Sequence, residues 1–210
     1  MAEEKLLVAE QFETPAQQKE AATLGMWTFL ATEVLFFGGL FMSYVVLRSL
    51  YPTGFAEGSQ QCNRLFGTIN TAILLTSSLT MALAVHAAQL GANKVLKRTL
   101  LLTLLLALAF LGVKGLEYHE DFSKHLVPGQ SFAPTLSKPA ELFFILYWAM
   151  TVLHAIHVTA GIVMLGILFS LARNNKFSRD YYNPIEIGGL YWHFVDIVWI
   201  FLYPLLYLVR

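Results

Sequence analysis

The sequence is poor in charged residues and has almost no cysteine. Asp, Glu, Lys and Arg make up 13% of its 210 residues, whereas an ordinary soluble domain has about 25%. The single Cys62 allows neither an internal disulfide nor a four-thiolate metal site. The 14 basic and 14 acidic residues cancel, so the charge balance gives no indication of nucleic acid as a partner.

Several recognisable segments and motifs are also missing from the sequence. The first 23 residues are polar and rich in glutamate, so no secretory signal peptide is expected there. There is no internal repeat, no phosphate-binding Walker loop, no nucleophile elbow and no paired-carboxylate metal motif. These absences argue against a conventional catalytic site on this chain.

Apolar residues dominate instead. They make up 56% of the chain, and Phe, Trp and Tyr alone reach 14%. A soluble fold of this length would expose far more apolar surface than water tolerates. We therefore expect an all-α membrane protein.

Five apolar stretches are long enough to cross a bilayer, for which about 20 residues suffice. They span residues 24–47, 66–90, 99–116, 142–171 and 187–209. The expected organisation is a polar N-terminal segment, 1–23, followed by a five-helix transmembrane domain, 24–210. Thr14, Pro15 and Gln17 form the pattern of a helix start, in which Thr14 is the N-cap. The segments between the spans are short, and Pro52-Thr53-Gly54 predicts a turn in the first of them.

Lysine and arginine are distributed unequally between the two sides of the predicted bundle. Eight lysine and arginine residues outside the spans lie on the side of the N-terminus, and five lie on the other side, including Arg48 and Arg64. Because basic residues favour the cytoplasmic side, we expect a cytoplasmic N-terminus and a C-terminus outside.

Ionisable groups within the predicted spans are the candidate functional residues. An ionisable group at bilayer depth is costly and usually faces protein or water. The spans or their ends carry Glu33, His86, Lys114, Glu117, His154, His157, His193 and Asp196. Histidine suggests haem or metal, but no complete set of ligands is visible on one face, so hydrogen bonds between helices are the favoured interpretation. Lys114 and Glu117 are expected to form an ion pair at a span end, with the lysine reaching towards the interface.

Five short motifs, in order, resemble subunit III of the haem–copper respiratory oxidases. The longest is Tyr191-Trp192-His193-Phe194-Val195-Asp196-Ile197-Val198-Trp199. The others are Glu33-Val34-Leu35-Phe36-Phe37 with Gly39, Asn70-Thr71 with Leu74-Leu75 and Ser77, Glu117-Tyr118, and His154-x-x-His157-Val158-x-x-Gly161. Arg173-x-x-Lys176-Phe177 matches a cytoplasmic loop of that family. The resemblance covers about residues 27–207.

The resemblance implies a subunit without a redox centre. Haem, copper and oxygen reduction would reside in partner subunits, chiefly subunit I, in a bacterial cytoplasmic membrane. This chain would dock on subunit I and other oxidase subunits, bind phospholipid, and support proton uptake and the durability of the catalytic centre. Membership of a larger respiratory supercomplex is also compatible with it. The resemblance further implies that Arg173 contacts a lipid phosphate and that Glu33 is a buried carboxyl beside a lipid cleft. Contacts between helices or at the interface are implied for His86, Glu117, His154, His157, His193 and Asp196.

The chain departs from the longer members of that family, which have two more helices at the N-terminal end. Val85-His86 also stands where paired histidines are often found. Two alternative functions stay open at this point. One is the accessory membrane subunit of nitric oxide reductase, and the other is a small proton or ion transporter built on Glu33, His193 and Asp196.

Overall fold

A computed structural model describes residues 11–129, 132–179 and 181–208, which form helices and no strand. The helices are α1 Pro15–Leu50, α2 Pro52–Gln61, α3 Arg64–Gln89, α4 Asn93–Ser123, α5 Lys138–Arg173 and α6 Asn183–Tyr203, followed by a π-helical turn, Pro204–Leu208. All of them except the short α2 are long and apolar enough to cross a membrane, α6 together with its π-helical turn. The prediction of five spanning helices is therefore confirmed.

The predicted start of α1 is confirmed at its N-cap. Thr14 is the N-cap, and its side chain accepts a hydrogen bond from the backbone nitrogen of Gln17, while Pro15 is the first helical residue. The Gln17 side chain in turn accepts from the backbone nitrogen of Glu13, 2.9 Å away, and not from that of Thr14. Two of the otherwise unpaired nitrogens near the helix start are satisfied in this way.

The segment around Pro52 forms a helix, α2, where the sequence pattern predicted a turn. Pro52 occupies its first position, where the missing N–H costs nothing. Gly54 and Gly58 let α2 lie directly against α5, because a Cβ on Gly54 would collide with Pro139 and one on Gly58 with Phe143. We call the end of the bundle that carries α2 the α2 end, and the other end, where α1 begins, the opposite end.

Helix α6 lies at the centre of the bundle. It packs against α1, α3 and α5, and α4 covers α3 and α5 from the other side. Gly161 on α5 makes room for the Trp192 ring, and Gly189 on α6 makes room for Val85 of α3. Gly38 and Gly39 on α1 differ, since a Cβ on either would meet nothing within 4 Å.

Helix α4 is longer than the apolar stretch 99–116 suggested, since it runs from Asn93 to Ser123. Lys114 and Glu117 consequently lie within the helix and not at its end. Both are buried, with 2% and 1% of their surface exposed. The expectation that the lysine reaches towards the interface is wrong, although the expected ion pair is present.

Candidate functional site: buried polar groups and an apolar groove

The densest polar cluster lies between α4, α5 and the π-helical turn, and we call it the Lys114 cluster. Its members are Lys114, Glu117, Asp121, Tyr147 and Tyr207. The ammonium group of Lys114 donates to Oε2 of Glu117 at 2.9 Å, to the Tyr207 hydroxyl at 2.8 Å and to the Tyr147 hydroxyl at 3.2 Å. All three N–H groups of the lysine are thereby used.

The two tyrosines complete the hydrogen bonding of the cluster. The Tyr207 hydroxyl donates to Oε1 of Glu117 at 2.6 Å. The Tyr147 hydroxyl lies 2.9 Å from Oδ2 of Asp121 and 3.1 Å from Oε1 of Glu117, and its one proton serves one of them at a time. The cluster thus joins three segments of the bundle through paired charges, which makes a buried lysine tolerable in the membrane.

Glu33 of α1 pairs with His157 of α5. Oε2 of Glu33 lies 3.1 Å from Nε2 of His157, and both side chains are less than one-fifth exposed. Nδ1 of His157 lies 2.8 Å from the carbonyl oxygen of Leu153, which only accepts, so Nδ1 carries a hydrogen. A hydrogen bond between Nε2 and Oε2 of Glu33 then requires a hydrogen on one of these two atoms. In the structure, Glu33 thus bonds to a neighbouring helix.

His193 and Asp196 do not bond to each other, although they share one helix. Nδ1 of His193 lies 2.9 Å from the Ser78 hydroxyl of α3. Asp196 is 2% exposed, and Ser78 also lies next to it. Neither carboxylate oxygen of Asp196 makes a hydrogen bond of good geometry within the part of the chain described. Of these two residues, His193 therefore makes a hydrogen bond to another helix, through Ser78 of α3.

The remaining predicted residues fall into two groups. The ring of buried His154 packs against Trp199 and Phe110, at centroid distances of 5.2 and 5.7 Å, and neither ring nitrogen has a hydrogen-bond partner among the described residues. Its contact between helices is an aromatic one. His86 and Arg173 are exposed, so the implied interface and lipid contacts of these two residues stay predictions.

An apolar groove runs along the surface between α1 and α6, and we call it the α1–α6 groove. Its volume is about 420 Å³. It is lined on α1 by Trp27, Leu30, Val34, Phe37, Gly38 and Phe41, and on α6 by Leu190, His193, Phe194, Ile197, Val198 and Phe201. The Phe37 ring also touches His157, at a centroid distance of 5.4 Å. The Glu33–His157 pair therefore lies directly behind the groove wall.

The sequence interpretation missed the partners of Lys114 and the groove. One signal was present, since Lys114, Glu117 and Asp121 follow each other at i, i+3 and i+7 and so share a helix face. Nothing in the spacing connects that face with Tyr147 or Tyr207. Among the described residues, no group of three or more His, Cys, Asp or Glu side chains is arranged to hold a metal ion.

These features define a class of protein: a multi-pass helical membrane protein that pairs a buried lysine with a glutamate, and a second glutamate with a histidine. Comparison with known proteins identifies the family. The family model for cytochrome c oxidase subunit III matches residues 9–209, nearly the whole chain. The chain belongs to the cytochrome c oxidase subunit III family, a family of subunits of haem–copper oxidases.

Individual relatives agree with this assignment. Cytochrome c oxidase subunit 3 of Bacillus sp. strain PS3 is 36% identical over 99% of this chain and 97% of its own length. The protein of the same name from Synechocystis sp. is 32% identical over 88% of this chain and 74% of its own. Cytochrome bo(3) ubiquinol oxidase subunit 3 of Pseudomonas aeruginosa is 31% identical over 88% of this chain and 83% of its own.

Proposed function

We propose that this chain is the non-catalytic subunit III of a haem–copper terminal oxidase in the cytoplasmic membrane of a bacterium. It docks on subunit I, which with the other subunits holds the haem and copper, and it supports proton uptake and the durability of the catalytic centre while oxygen is reduced to water. The observation that carries this proposal is the internal pairing of its charged groups: Lys114 with Glu117, and Glu33 with His157. These groups brace the bundle, and within the described part of the chain no three His, Cys, Asp or Glu side chains are arranged to hold a metal ion.

We further propose that phospholipid occupies the α1–α6 groove. The groove is lined almost entirely by apolar side chains and lies on the surface of two spanning helices. An acyl chain is the bilayer component that fits such a surface. Arg173, exposed in the last turn of α5, is the proposed contact for a lipid phosphate at the opposite end, since its forked guanidinium suits phosphate oxygens.

A role as a proton or ion transporter is less well supported. Such a role would connect Glu33, His193 and Asp196 along one path. Glu33 instead pairs with His157 of α5, and His193 with Ser78 of α3. Glu33 and His193 thus have separate partners on different helices.

The test is purification of the chain from its native membrane in a mild detergent. It should co-migrate with a haem-containing oxidase that consumes oxygen, and the chain expressed alone should show no Soret absorbance. Stoichiometric haem on the isolated chain, or migration without any oxidase, would contradict the proposal.

A further inference from the structure

A second, smaller cavity continues the α1–α6 groove at the α2 end. Its volume is about 360 Å³, and it is lined by Tyr44, Val45, Arg48, Ser49, Pro52 and Leu205. Residues 34, 37, 38 and 41 of α1 line the groove, and 44, 45 and 48 line the cavity, so both lie along one face of that helix. On the other wall, Leu205 follows Phe201 by four residues.

Among the described residues, Arg48 is the one charged residue that lines this cavity. It is half-buried and next to the Tyr44 hydroxyl, which donates to the carbonyl oxygen of Leu205 at 2.5 Å. Within residues 11–129, 132–179 and 181–208, no acidic side chain forms a salt bridge with it. Its positive charge therefore lies at the mouth of an apolar groove with no ion-pair partner among those residues.

The Ser49 hydroxyl does not add a donor to the cavity, because it donates to the carbonyl oxygen of Val46 at 2.7 Å. Of the described residues that line the cavity, the guanidinium therefore supplies the recognition chemistry. A guanidinium above an apolar groove matches a molecule that has a phosphate at one end and a hydrocarbon chain at the other.

The dimensions agree with one leaflet of a bilayer. Arg48 and Gly38 are ten residues apart on α1, which corresponds to a rise of roughly 15 Å. That is about half of the ~30 Å hydrocarbon core. A chain extending from a phosphate at Arg48 would therefore pass over Gly38 near its far end, where the missing side chain leaves the groove open.

We propose that Arg48 binds the phosphate of a phospholipid from the leaflet at the α2 end, with one acyl chain in the α1–α6 groove over Gly38. This site rests on the proposed use of the groove by lipid and adds a head-group site at the end opposite to Arg173. A lone arginine in the last turn of a helix also complements the helix dipole. The helix dipole, however, does not explain why Arg48 lies beside a cavity that continues into an apolar groove.

The test uses the whole oxidase complex purified in mild detergent, with bound phospholipid counted by native mass spectrometry. Arg48→Gln removes the phosphate ligand, and Gly38→Leu fills the groove without a clash, because a Cβ on Gly38 meets nothing within 4 Å. Each variant should lose one phospholipid per complex. Arg48→Lys keeps the charge but not the fork and should retain part of that lipid.

Two matched controls separate this site from general effects. Arg64→Gln removes an exposed arginine at the same end, at the start of α3 and outside both cavities. Gly39→Leu adds the same side chain beside Gly38 but does not line the groove. Both should retain the full lipid count. A count that falls equally in variants and controls, or in none of them, would overturn the proposal.

Photocrosslinking at Val45 in the otherwise unaltered complex identifies the occupant directly. Val45 lines the small cavity and is 52% exposed. The expected product is a phospholipid adduct. An adduct to a polypeptide would overturn the proposal and assign the groove to a partner helix. Loss of lipid in Arg48→Gln but not in Gly38→Leu would overturn the placement of the acyl chain in the groove, and an unchanged lipid count in Arg48→Gln would overturn the phosphate site. Co-migration of haem with the variants reports separately on the function proposed above.

Discussion

Nζ of Lys114 lies 2.9 Å from Oε2 of Glu117, one turn further along the same helix, and both side chains are almost completely buried. The pair holds together because Tyr147 and Tyr207 supply the remaining hydrogen bonds. A buried ion pair of this kind contributes little net stability when intact, since the cost of removing two charges from water offsets their attraction. Breaking it by removing one partner is expensive.

The first prediction concerns that asymmetry. Lys114→Met should destabilise the bundle by about 3–5 kcal/mol, because it leaves the Glu117 carboxylate buried without its counter-charge. The double variant Lys114→Met with Glu117→Gln should recover much of this loss. The stability of both variants is measured by heating the detergent-solubilised complex and recording the temperature at which this chain is released. Lys124→Met is the control, since its pair with Glu120 is exposed and worth about 0–1 kcal/mol. A double variant no more stable than the single one would show that pairing is not the function of Lys114.

The second prediction is that Glu33 supports packing and is not an essential proton donor. Glu33→Gln keeps one donor and one acceptor facing His157, so the complex should assemble, consume oxygen at close to its initial rate, and no longer react with a hydrophobic carbodiimide. Glu33→Leu leaves Nε2 of His157 without its partner, which costs about 1–3 kcal/mol and should weaken lipid retention. The measurements are oxygen consumption from the first seconds and bound lipid. If the Gln variant stops turnover at once in an assembled complex, Glu33 transfers protons.

The third prediction is the orientation of the bundle. Ser123 and Asn174 are exposed near opposite ends, close to the C-terminal ends of α4 and α5. Cysteine at position 174 should react with a membrane-impermeant maleimide only in permeabilised cells, and cysteine at position 123 should react in intact ones. The reverse pattern would show that the lysine and arginine bias gave the wrong orientation.

The native cysteine should not interfere with this labelling. Cys62 is 4% exposed, and burial raises the pKa of its thiol well above the usual value. Because only the thiolate reacts, a raised pKa leaves little reactive species at neutral pH. The unaltered chain should therefore remain unlabelled in both intact and permeabilised cells, and rapid labelling of it would contradict the burial of Cys62.

The fourth prediction compares two glycines of α5. A Cβ on Gly161 would lie 2.7 Å from the Trp192 ring, so Gly161→Ala should push α5 and α6 apart and destabilise the bundle by about 1–3 kcal/mol. Gly166→Ala meets nothing within 4 Å and should be neutral or stabilising by about 0.5–1 kcal/mol through helix propensity. The measurement is the unfolding temperature of each variant. Equal values would show that the contact at Gly161 is not tight.

The sequence predicts the spanning helices well because bilayer depth imposes a long apolar run on every one of them. It predicts the start of α1 because capping is local: Thr14 and Gln17 are three residues apart. It also indicates the family, through short motifs such as the run from Tyr191 to Trp199. Its errors lie where helices end. The end of α4 was placed too early because a lysine and a glutamate look like a boundary, and only their partners on other helices make them tolerable inside.

Which polar groups meet across different helices was decided by tertiary structure alone. Tyr207 is 93 residues from Lys114 and His157 is 124 residues from Glu33, so no local spacing relates them. Helix rotation and packing decide that His193 faces Ser78, that Gly38 opens into a groove and that Gly161 meets a tryptophan ring. The physical reason is that hydropathy fixes how deep a residue lies in the membrane, whereas side-chain packing between helices fixes the direction in which it points.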